Sequence, residues 1–418
     1  MTNDTPLAIA IGPRVRRSAF FDATIEAGVK SFTIYNHMYL PVHFGDPLAE
    51  YWSMVNGVVL ADHAVQRQVE IKGPDALALT QLLTPRDISS CPVGRGRYVV
   101  FCNDQGGIIN DAVLFRMAED CFWLSPGDGD VILWATGLAL GKGYDVEVSE
   151  PDVSPLQLQG PVSPHVAKKL FGEIALTLGY YQCVELELND IPVVLTRTGW
   201  SGELGYEIYL LDQTRGAELW GLIMEAGKEY GILPACPSLM RSVEGGILSH
   251  GSDITPCDTP FTIGLERLMD LDKPSEFIGR DALKRIAREG TPRRLVGANF
   301  GGEAIGGNDK FWDVYSNGNV VGHITRCCYS PRLEHNIALV NVPTELSEPG
   351  TKVQLDIRGG RVDAEIVALP WLVVPFSQSN EGLVAKARFE DRLEINRSLG
   401  QCGKQGGTCY YPFYQTNI

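Results

Sequence analysis

The sequence predicts an α+β protein with a separate all-β domain near its C-terminus. Over the first two thirds of the 418 residues, strand-like and helix-like segments alternate, and hairpins join several strands. This favours mixed layers over a strictly parallel sheet. Near residue 290 the pattern changes to β-rich segments separated by Gly- and Pro-containing turns. We therefore expect an α+β region over residues 1–290, an all-β domain over 291–376 and a tail of unknown role over 377–418.

Local signals predict the individual elements of the α+β region. Residues 68–72 have the pattern of a strand, and Pro74 begins a helix through Leu83, because proline fits the first helical turn. A hairpin covers residues 98–117 around the turn Asp104-Gln105-Gly106. Further elements are expected as strands at 123–125, 192–197 and 206–211 and as helices at 128–140 and 214–229.

Composition restricts the class of protein. The chain is 44% hydrophobic and 21% charged, as in ordinary globular proteins, and its net charge of −15 argues against nucleic-acid and anionic-membrane partners. It contains no apolar run of about 18 residues and no basic-then-apolar signal pattern, so we expect a cytoplasmic protein. The ten cysteines form no C-x-x-C pair, and we expect reduced thiols. The histidines have no metal-ligand spacing, and no metal site is expected.

Residues 198–210, TGWSGELGYEIYL, are the most informative stretch. A turn carrying Trp200 precedes a strand on which Glu207 and Tyr209 share one face, because strand side chains alternate. The opposite face, with Tyr206, Ile208 and Leu210, is the better candidate for the core. A carboxylate, a phenol and an indole together suit a flat, nitrogen-rich heterocycle, which can stack on the rings and donate to the carboxylate. The alternative is an ordinary strand with a solvated Glu207.

Asp111 is the second candidate. It shares a predicted strand face with Ile109, Val113 and Phe115, and a carboxylate on an apolar face is costly to bury unless it is hydrogen-bonded or paired. We therefore expect a functional role for Asp111. The alternative is that its side chain caps the preceding hairpin.

Two further segments can line a pocket. Residues 35–41, YNHMYLP, concentrate Tyr35, His37 and Met38 in one predicted loop; the alternative is a surface loop with buried Tyr and Met. In residues 125–130, Ser125 and Asp128 can reach a ligand, or the aspartates can merely cap the following helix. A serine-nucleophile site at 199–202 is not favoured, since the G-x-S-x-G spacing and a histidine partner are lacking.

Several motifs together resemble the folate-dependent aminomethyltransferase family, typified by the glycine cleavage T-protein. They are GGIIND (106–111), TGWSGELGYEIY (198–209), SVEGGILSHGSD (242–253), TPFTIGLE (259–266), FIGRDAL (277–283) and VGHITRCCYSPRLEHNIALV (321–340). The resemblance covers about residues 14–375. Within the family, residues 14–41, 67–73, 145–161 and 235–244 are similar to the dimethylsulfoniopropionate demethylases.

The resemblance implies three domains in a ring around a folate-binding hole, with two α+β subdomains in residues 1–290 and a β-barrel-like last domain. It implies tetrahydrofolate as cofactor, Glu207 at the pterin's amino and N–H edge, and Asp111 beside the reactive N5. Catalytic roles then fall to Asp111 and Tyr209. The implied folate contacts are Tyr98, Ser125, Asp128, Trp200, Glu207 and Tyr209, and the implied substrate contacts are Tyr35, His37, Met38 and Trp200.

The expected function is a tetrahydrofolate-dependent demethylase that transfers a methyl group to N5 from dimethylsulfoniopropionate or a related onium or methoxy donor. The alternatives are a glycine-cleavage T-protein and a non-catalytic folate-binding relative. The partners are then a small-molecule methyl donor and tetrahydrofolate, and a homo-oligomer is compatible with this expectation. Three departures from the family pattern bear on substrate and folate binding: Ser242 replaces an arginine, His250 replaces a tyrosine, and residues 202–205 resemble the T-protein more than the demethylase.

Overall fold

A computed structural model describes residues 11–372. The expected tail over 377–418 lies outside the described residues, as do Cys402 and Cys409. The strands are β1 (Ser31–Tyr35), β2 (Met38–His43), β3 (Val59–Asp62), β4 (Val69–Lys72), β5 (Arg95–Cys102), β6 (Ile108–Ala118), β7 (Cys121–Pro126), β8 (Glu147–Ser149), β9 (Ser154–Gln159), β10 (Cys183–Leu188), β11 (Ile191–Thr196), β12 (Gly205–Leu210), β13 (Leu233–Ala235), β14 (Arg293–Phe300), β15 (Trp312–Ser316), β16 (Asn319–Ser330), β17 (His335–Pro343), β18 (Lys352–Ile357) and β19 (Gly360–Val367). The α-helices are α1 (Phe21–Glu26), α2 (Pro47–Asn56), α3 (Ala76–Leu83), α4 (Val131–Lys142), α5 (Ser163–Phe171), α6 (Ile174–Thr177), α7 (Gly216–Gly227), α8 (Leu239–Glu244) and α9 (Arg280–Glu289).

Three sheets organise the described chain, together with the β1–β2 hairpin. A six-stranded sheet has the order β10-β11-β12-β9-β3-β13, and a five-stranded sheet has the order β5-β6-β7-β4-β8. The third closes into a barrel in the order β14-β17-β16-β15-β18-β19. Strand pairing is antiparallel except between β13 and β3. The expected α+β class and the C-terminal barrel are thereby confirmed.

Strand β12 buries both of its faces. Tyr206, Ile208 and Leu210 lie in a core cluster with side chains from helices α5 and α7, as the sequence predicts. On the other face, the Tyr209 ring lies 6.1 Å from the Phe115 ring of β6, with the two rings edge to face. Only 3% of Glu207 is exposed. The alternative of a solvated Glu207 is therefore wrong, because the five-stranded sheet covers this face.

The β5–β6 hairpin that carries Asp111 is fixed by its turn. The Asn103 side-chain oxygen accepts hydrogen bonds from the backbone N–H groups of Gln105 and Gly107, each at 2.9 Å. Gly106 has a φ of +83°, a left-handed conformation that glycine adopts without a Cβ penalty. Asn103 therefore caps the turn, and the Asp111 side chain is left to another role.

The segment interpreted as a loop at residues 35–41 is a tight hairpin instead. Tyr35 ends β1 and pairs with Met38 at the start of β2, and Pro41 lies within β2. The two turn residues have φ values of +51° (Asn36) and +62° (His37), as in a type I′ turn. The sequence lacks the usual glycine at the second turn position, and the hairpin was missed for that reason. No helix within residues 11–372 is long and apolar enough to cross a bilayer.

Candidate active site

Glu207 is held by hydrogen bonds within the six-stranded sheet. Gln157, its cross-strand partner on β9, donates from Nε2 to Glu207 Oε1 at 2.9 Å. The Thr198 hydroxyl donates to Oε2, and the Tyr209 hydroxyl donates to the same oxygen at 3.3 Å. Burial raises the pKa of Glu207, although these donors oppose the shift. Because a carboxylate accepts about four hydrogen bonds, Oε1 retains capacity for one more donor.

A chain of polar side chains connects Glu207 to the five-stranded sheet. The Tyr209 hydroxyl lies 3.3 Å from Ser125 Oγ of β7, which donates to Gln68 Oε1 at 2.6 Å. Burial and the charge of Glu207 raise the pKa of Tyr209 well above its usual value. Three residues that the sequence analysis assigns to the folate site are therefore brought together.

Asp111 on β6 has one satisfied and one unsatisfied oxygen. The Tyr98 hydroxyl of β5 donates to Asp111 Oδ2 at 2.8 Å. Oδ1 is buried and has no hydrogen-bond partner among the described residues. Burial raises the pKa of Asp111, and Tyr98 and His250 oppose the shift. A buried acceptor without a partner is costly, so the arrangement is suited to a ligand that donates a hydrogen bond to Oδ1.

His250, on the loop after α8, lies near Asp111. Both of its ring nitrogens are buried and lack partners within residues 11–372. A Cβ placed on Gly127 would lie 2.8 Å from His250 Cβ and 3.3 Å from Asp111 Oδ1. Gly127 therefore lies between His250 and Asp111, and there is no room there for a larger side chain. From the sequence, His250 stands out only as a departure from the family pattern, and the two unsatisfied ring nitrogens that mark it as a site residue are visible only in the structure.

The β1–β2 hairpin is joined to the region around Asp111 by hydrogen bonds to Asp128. The Asp128 backbone N–H donates to the Tyr35 hydroxyl at 2.9 Å, and the Asn36 N–H donates to Asp128 Oδ1 at 2.8 Å. Burial, together with the charges of Asp111 and Asp128, raises the pKa of Tyr35 far above its usual range. Tyr35 and Asp128 therefore lie beside Asp111, and Asp128 does not serve as a mere cap of α4.

The other two predicted substrate residues of the hairpin, His37 and Met38, are placed differently. The His37 side chain is 61% exposed, and its Nε2 lies 3.1 Å from Asp130 Oδ2. Met38 is 6% exposed and packs in the core cluster of the six-stranded sheet. Direct substrate contact remains a prediction for both, and the hydrogen bonds at the hairpin favour Tyr35.

Trp200 lies on a loop that an internal arginine fixes. Its indole Nε1 donates to Leu248 O at 3.4 Å. Arg241, fully buried, donates from Nη2 to Gly202 O at 2.7 Å and from Nε to Glu203 Oε1 at 2.7 Å. Gly202 has a φ of +68°, and a Cβ there would lie 2.8 Å from Arg241 Nη2. Gly202 and Glu203 thus hold the Trp200 loop against α8.

Ser242, which stands where the family resemblance predicts an arginine, contacts an arginine of the barrel. Arg326 on β16 donates from Nη1 to Ser242 Oγ at 2.8 Å and from Nη2 to Ile247 O at 2.6 Å. The same guanidinium lies 2.5 Å from Asp253 Oδ2. Sequence reasoning missed Arg326, because its partners are 73 to 84 residues away along the chain.

Comparisons with known proteins identify the family. The GCVT N-terminal domain profile matches residues 20–273, and the glycine cleavage T-protein C-terminal barrel domain profile matches residues 293–372. The chain belongs to the glycine cleavage T-protein (aminomethyltransferase) family. The aminomethyltransferase T of the glycine cleavage system from Bartonella henselae has the same fold, with a TM-score of 0.77 at 24% identity, and covers 86% of this chain and 99% of its own.

Two curated relatives in the T-protein family carry different names. Dimethylsulfoniopropionate demethylase DmdA of Ruegeria pomeroyi is 35% identical over 347 residues, which cover 83% of this chain and 94% of that protein. An aminomethyltransferase of a Geobacillus species is 30% identical over 338 residues, which cover 79% and 92%. Members of the T-protein family are enzymes that transfer one-carbon units with tetrahydrofolate as acceptor.

The residues of this chain fit tetrahydrofolate. The pterin presents N–H donors, and both Glu207 Oε1 and Asp111 Oδ1 have unused acceptor capacity in a buried setting. Tyr98 and Tyr209 provide aromatic rings beside these acceptors. No group of three or more metal-ligating side chains occurs in the part of the chain that the structure describes.

Proposed function

We propose that this protein is a cytoplasmic, tetrahydrofolate-dependent demethylase that takes a methyl group from dimethylsulfoniopropionate or a related onium or methoxy compound. The observation that carries the proposal is the buried, unpartnered Asp111 Oδ1, which faces the equally unpartnered His250 across Gly127. The 35% identity to a dimethylsulfoniopropionate demethylase supports the choice of donor.

Glu207, Tyr209 and Ser125 would hold the pterin, with Tyr98 and Trp200 at its flanks. Tetrahydrofolate supplies N5 as the acceptor of the methyl group when it is bound. Glu207 orients the pterin by accepting from its amino and N–H edge, which fixes the ring against the six-stranded sheet. Orientation of this kind can contribute several kcal/mol to a transfer reaction.

Asp111 Oδ1 is the proton acceptor. A sulfonium donor loses its methyl group as the neutral thioether, which needs no proton, while the acceptor nitrogen must lose one. A carboxyl with a raised pKa is suited to this step, since a proton acceptor works best with a pKa near the operating pH. His250, on the other side of Gly127, opposes the rise in the pKa of Asp111 and is the candidate to pass the proton on.

The onium group is recognised by aromatic faces. Tyr35 lies beside Asp111, and Trp200, on the loop that Arg241 fixes, would supply the second ring. Cation–π attraction to such rings contributes about 0.5–2 kcal/mol when the cation is desolvated. A methoxyaryl donor would additionally need an acid for its phenolate leaving group, and His250 is the candidate for that acid.

A glycine-cleavage aminomethyltransferase is the second candidate. The Gly202–Glu203–Leu204–Gly205 segment favours it, since it resembles the T-protein, and relatives named aminomethyltransferase are 30% identical. A non-catalytic folate-binding relative is less well supported, because such a protein has no need for an unsatisfied Asp111.

One assay separates these functions. The protein is incubated with tetrahydrofolate and, in turn, dimethylsulfoniopropionate, glycine betaine and a methoxybenzoate, and folate products are measured by mass spectrometry. We expect 5-methyltetrahydrofolate with at least one donor, and at least tenfold slower formation with Asp111→Asn at equal protein concentration. Absence of methyl product with all three donors refutes the demethylase. Formation of methylenetetrahydrofolate from an aminomethyl-lipoyl carrier protein would establish the aminomethyltransferase instead.

A further inference from the structure

A cavity of about 350 Å³ lies behind the β1–β2 hairpin, away from the proposed folate contacts. Arg16, Arg17 and Arg67 line it together with one carboxylate, Glu150. Its volume is within the range of small-molecule sites, about 300–1,000 Å³. None of these four residues takes part in the function proposed above.

The charges of the lining do not balance. Glu150 is shared, since Arg16 Nη1 lies 2.5 Å from its Oε1 and Arg67 Nε lies 3.1 Å from its Oε2. Arg67 Nη1 also lies 3.5 Å from Asp130 Oδ1, outside the lining. Arg17 lies over the Phe21 ring at 4.9 Å and pairs with no carboxylate among the described residues. A local excess of positive charge in a chain of net charge −15 is suited to an anion.

Arginine favours a particular kind of anion. Its planar guanidinium binds carboxylates and phosphates through paired hydrogen bonds. The rest of the lining consists of the polar residues Ser154 and Gln213 and the apolar side chains of Met38, Ala64 and Val153, and the apolar part would contact a short aliphatic chain. This combination favours a small aliphatic carboxylate over a phosphate.

The cavity is also joined to the proposed site. Met38 is the cross-strand partner of Tyr35, whose hydroxyl is bonded to the backbone of Asp128. Arg67 precedes Gln68, which accepts the hydrogen bond of Ser125. An occupant of the cavity would therefore touch the hairpin that carries Tyr35 and the segment just before β4 that carries Gln68.

We propose that this cavity binds the carboxylate of a small aliphatic acid, with Arg17 as the ligand that has no competing partner. The carboxylate can belong to the methyl donor, in which case the inference rests on the proposed function, or to a separate effector. Arg17 is exposed and can meet the anion from solvent, while Arg67, whose side chain is 13% exposed, forms the inner wall.

Calorimetry on the full chain tests the site without any turnover. Propionate is titrated into wild type, Arg17→Gln, Arg17→Lys and Arg14→Gln at constant ionic strength. Arg14 is exposed and does not line the cavity, so Arg14→Gln is the matched control for loss of a surface charge. We expect Arg17→Gln to weaken propionate binding by about tenfold or more, Arg17→Lys to weaken it less, and Arg14→Gln to leave it unchanged.

Kinetics then distinguish the two sources of the carboxylate. If it belongs to the donor, Arg17→Gln raises KM for dimethylsulfoniopropionate and leaves KM for trimethylsulfonium, which has no carboxylate, unchanged. If it belongs to an effector, propionate binding is weakened while both KM values stay the same. Wild type that binds propionate no better than Arg17→Gln, with unchanged KM values, overturns the proposal. Failure of methyl transfer with every donor refutes the proposed function. The calorimetric comparison of wild type with Arg17→Gln then tests by itself whether the cavity binds a carboxylate.

Discussion

Replacing Glu207 by glutamine separates its role in folding from its role in binding folate. In the structure Glu207 accepts from Gln157, Thr198 and Tyr209. An alanine would remove this shared acceptor: Gln157 Nε2 would be left unpaired, at about 1–3 kcal/mol, while the Thr198 and Tyr209 hydroxyls would keep only Thr196 and Ser125 as partners, and β12 would be loosened. Glutamine keeps Oε1 for Gln157, and its amide can donate to either hydroxyl. The fold is therefore expected to survive Glu207→Gln.

The loss expected on folate binding follows from the charge. A hydrogen bond to a charged group contributes about 1.5–3 kcal/mol, and about 1.4 kcal/mol corresponds to a factor of ten in affinity. Glu207→Gln should therefore raise the Kd of tetrahydrofolate by about 10- to 150-fold. Because the carboxylate is buried in a low-dielectric setting with 3% exposure, the effect should be insensitive to moderate salt.

Binding is measured by quenching of tryptophan fluorescence on titration with 5-formyltetrahydrofolate, and folding by thermal denaturation. Glu187→Gln on β10 is the control, since it removes an exposed carboxylate from the same sheet. Equal folate affinity for wild type and Glu207→Gln, with both folded, would remove Glu207 from the pterin site. An equal loss in Glu187→Gln would show that the effect is a change in overall charge.

Three more substitutions test other parts of the structure. Asp111→Asn should lower kcat by at least tenfold while changing the Kd of folate by less than about threefold; a loss confined to Kd contradicts its role as proton acceptor. Gly127→Ala places a methyl group 2.8 Å from His250 Cβ and should lower kcat/KM, whereas Gly137→Ala on α4, with nothing within 4 Å, should retain activity and gain about 0.5–1 kcal/mol of stability. Burial raises the pKa of Asp62 from 3.8 to about 6, so its ionisation opposes folding, and this destabilisation should develop as pH rises from 4 to 6. Asp62→Asn should therefore gain up to about 3 kcal/mol relative to wild type over that interval in urea unfolding; a pH-independent difference would show that Asp62 ionises freely.

The sequence predicts local elements well because their signals are local. The hairpin expected at 98–117 corresponds to β5 and β6, and the helix expected at 214–229 contains α7. Alternation correctly predicts the core face of β12. It does not reveal that the opposite face is buried too, because the covering strands come from about 90 residues earlier in the chain.

The candidate site is predictable in part for the same reason. Glu207 and Asp111 stand out as carboxylates on otherwise apolar or aromatic segments. Their environments depend on contacts that no spacing rule describes: Gln157 lies 50 residues before Glu207, and His250 meets Asp111 only across Gly127. The unsatisfied atoms that suggest a ligand can be found only once every donor and acceptor is placed.

Ser242, at a position where the family resemblance implies an arginine, is contacted by an arginine from a distant part of the chain. Arg326 enters from the barrel and donates to Ser242 Oγ. Burying that guanidinium requires a carboxylate, and Asp253, on the same loop as His250, provides it at 2.5 Å. Asp253 is in turn bonded to Thr325, the residue before Arg326. Because one ion pair joins the barrel to the loop that carries His250, the barrel fixes the position of His250 against Asp111.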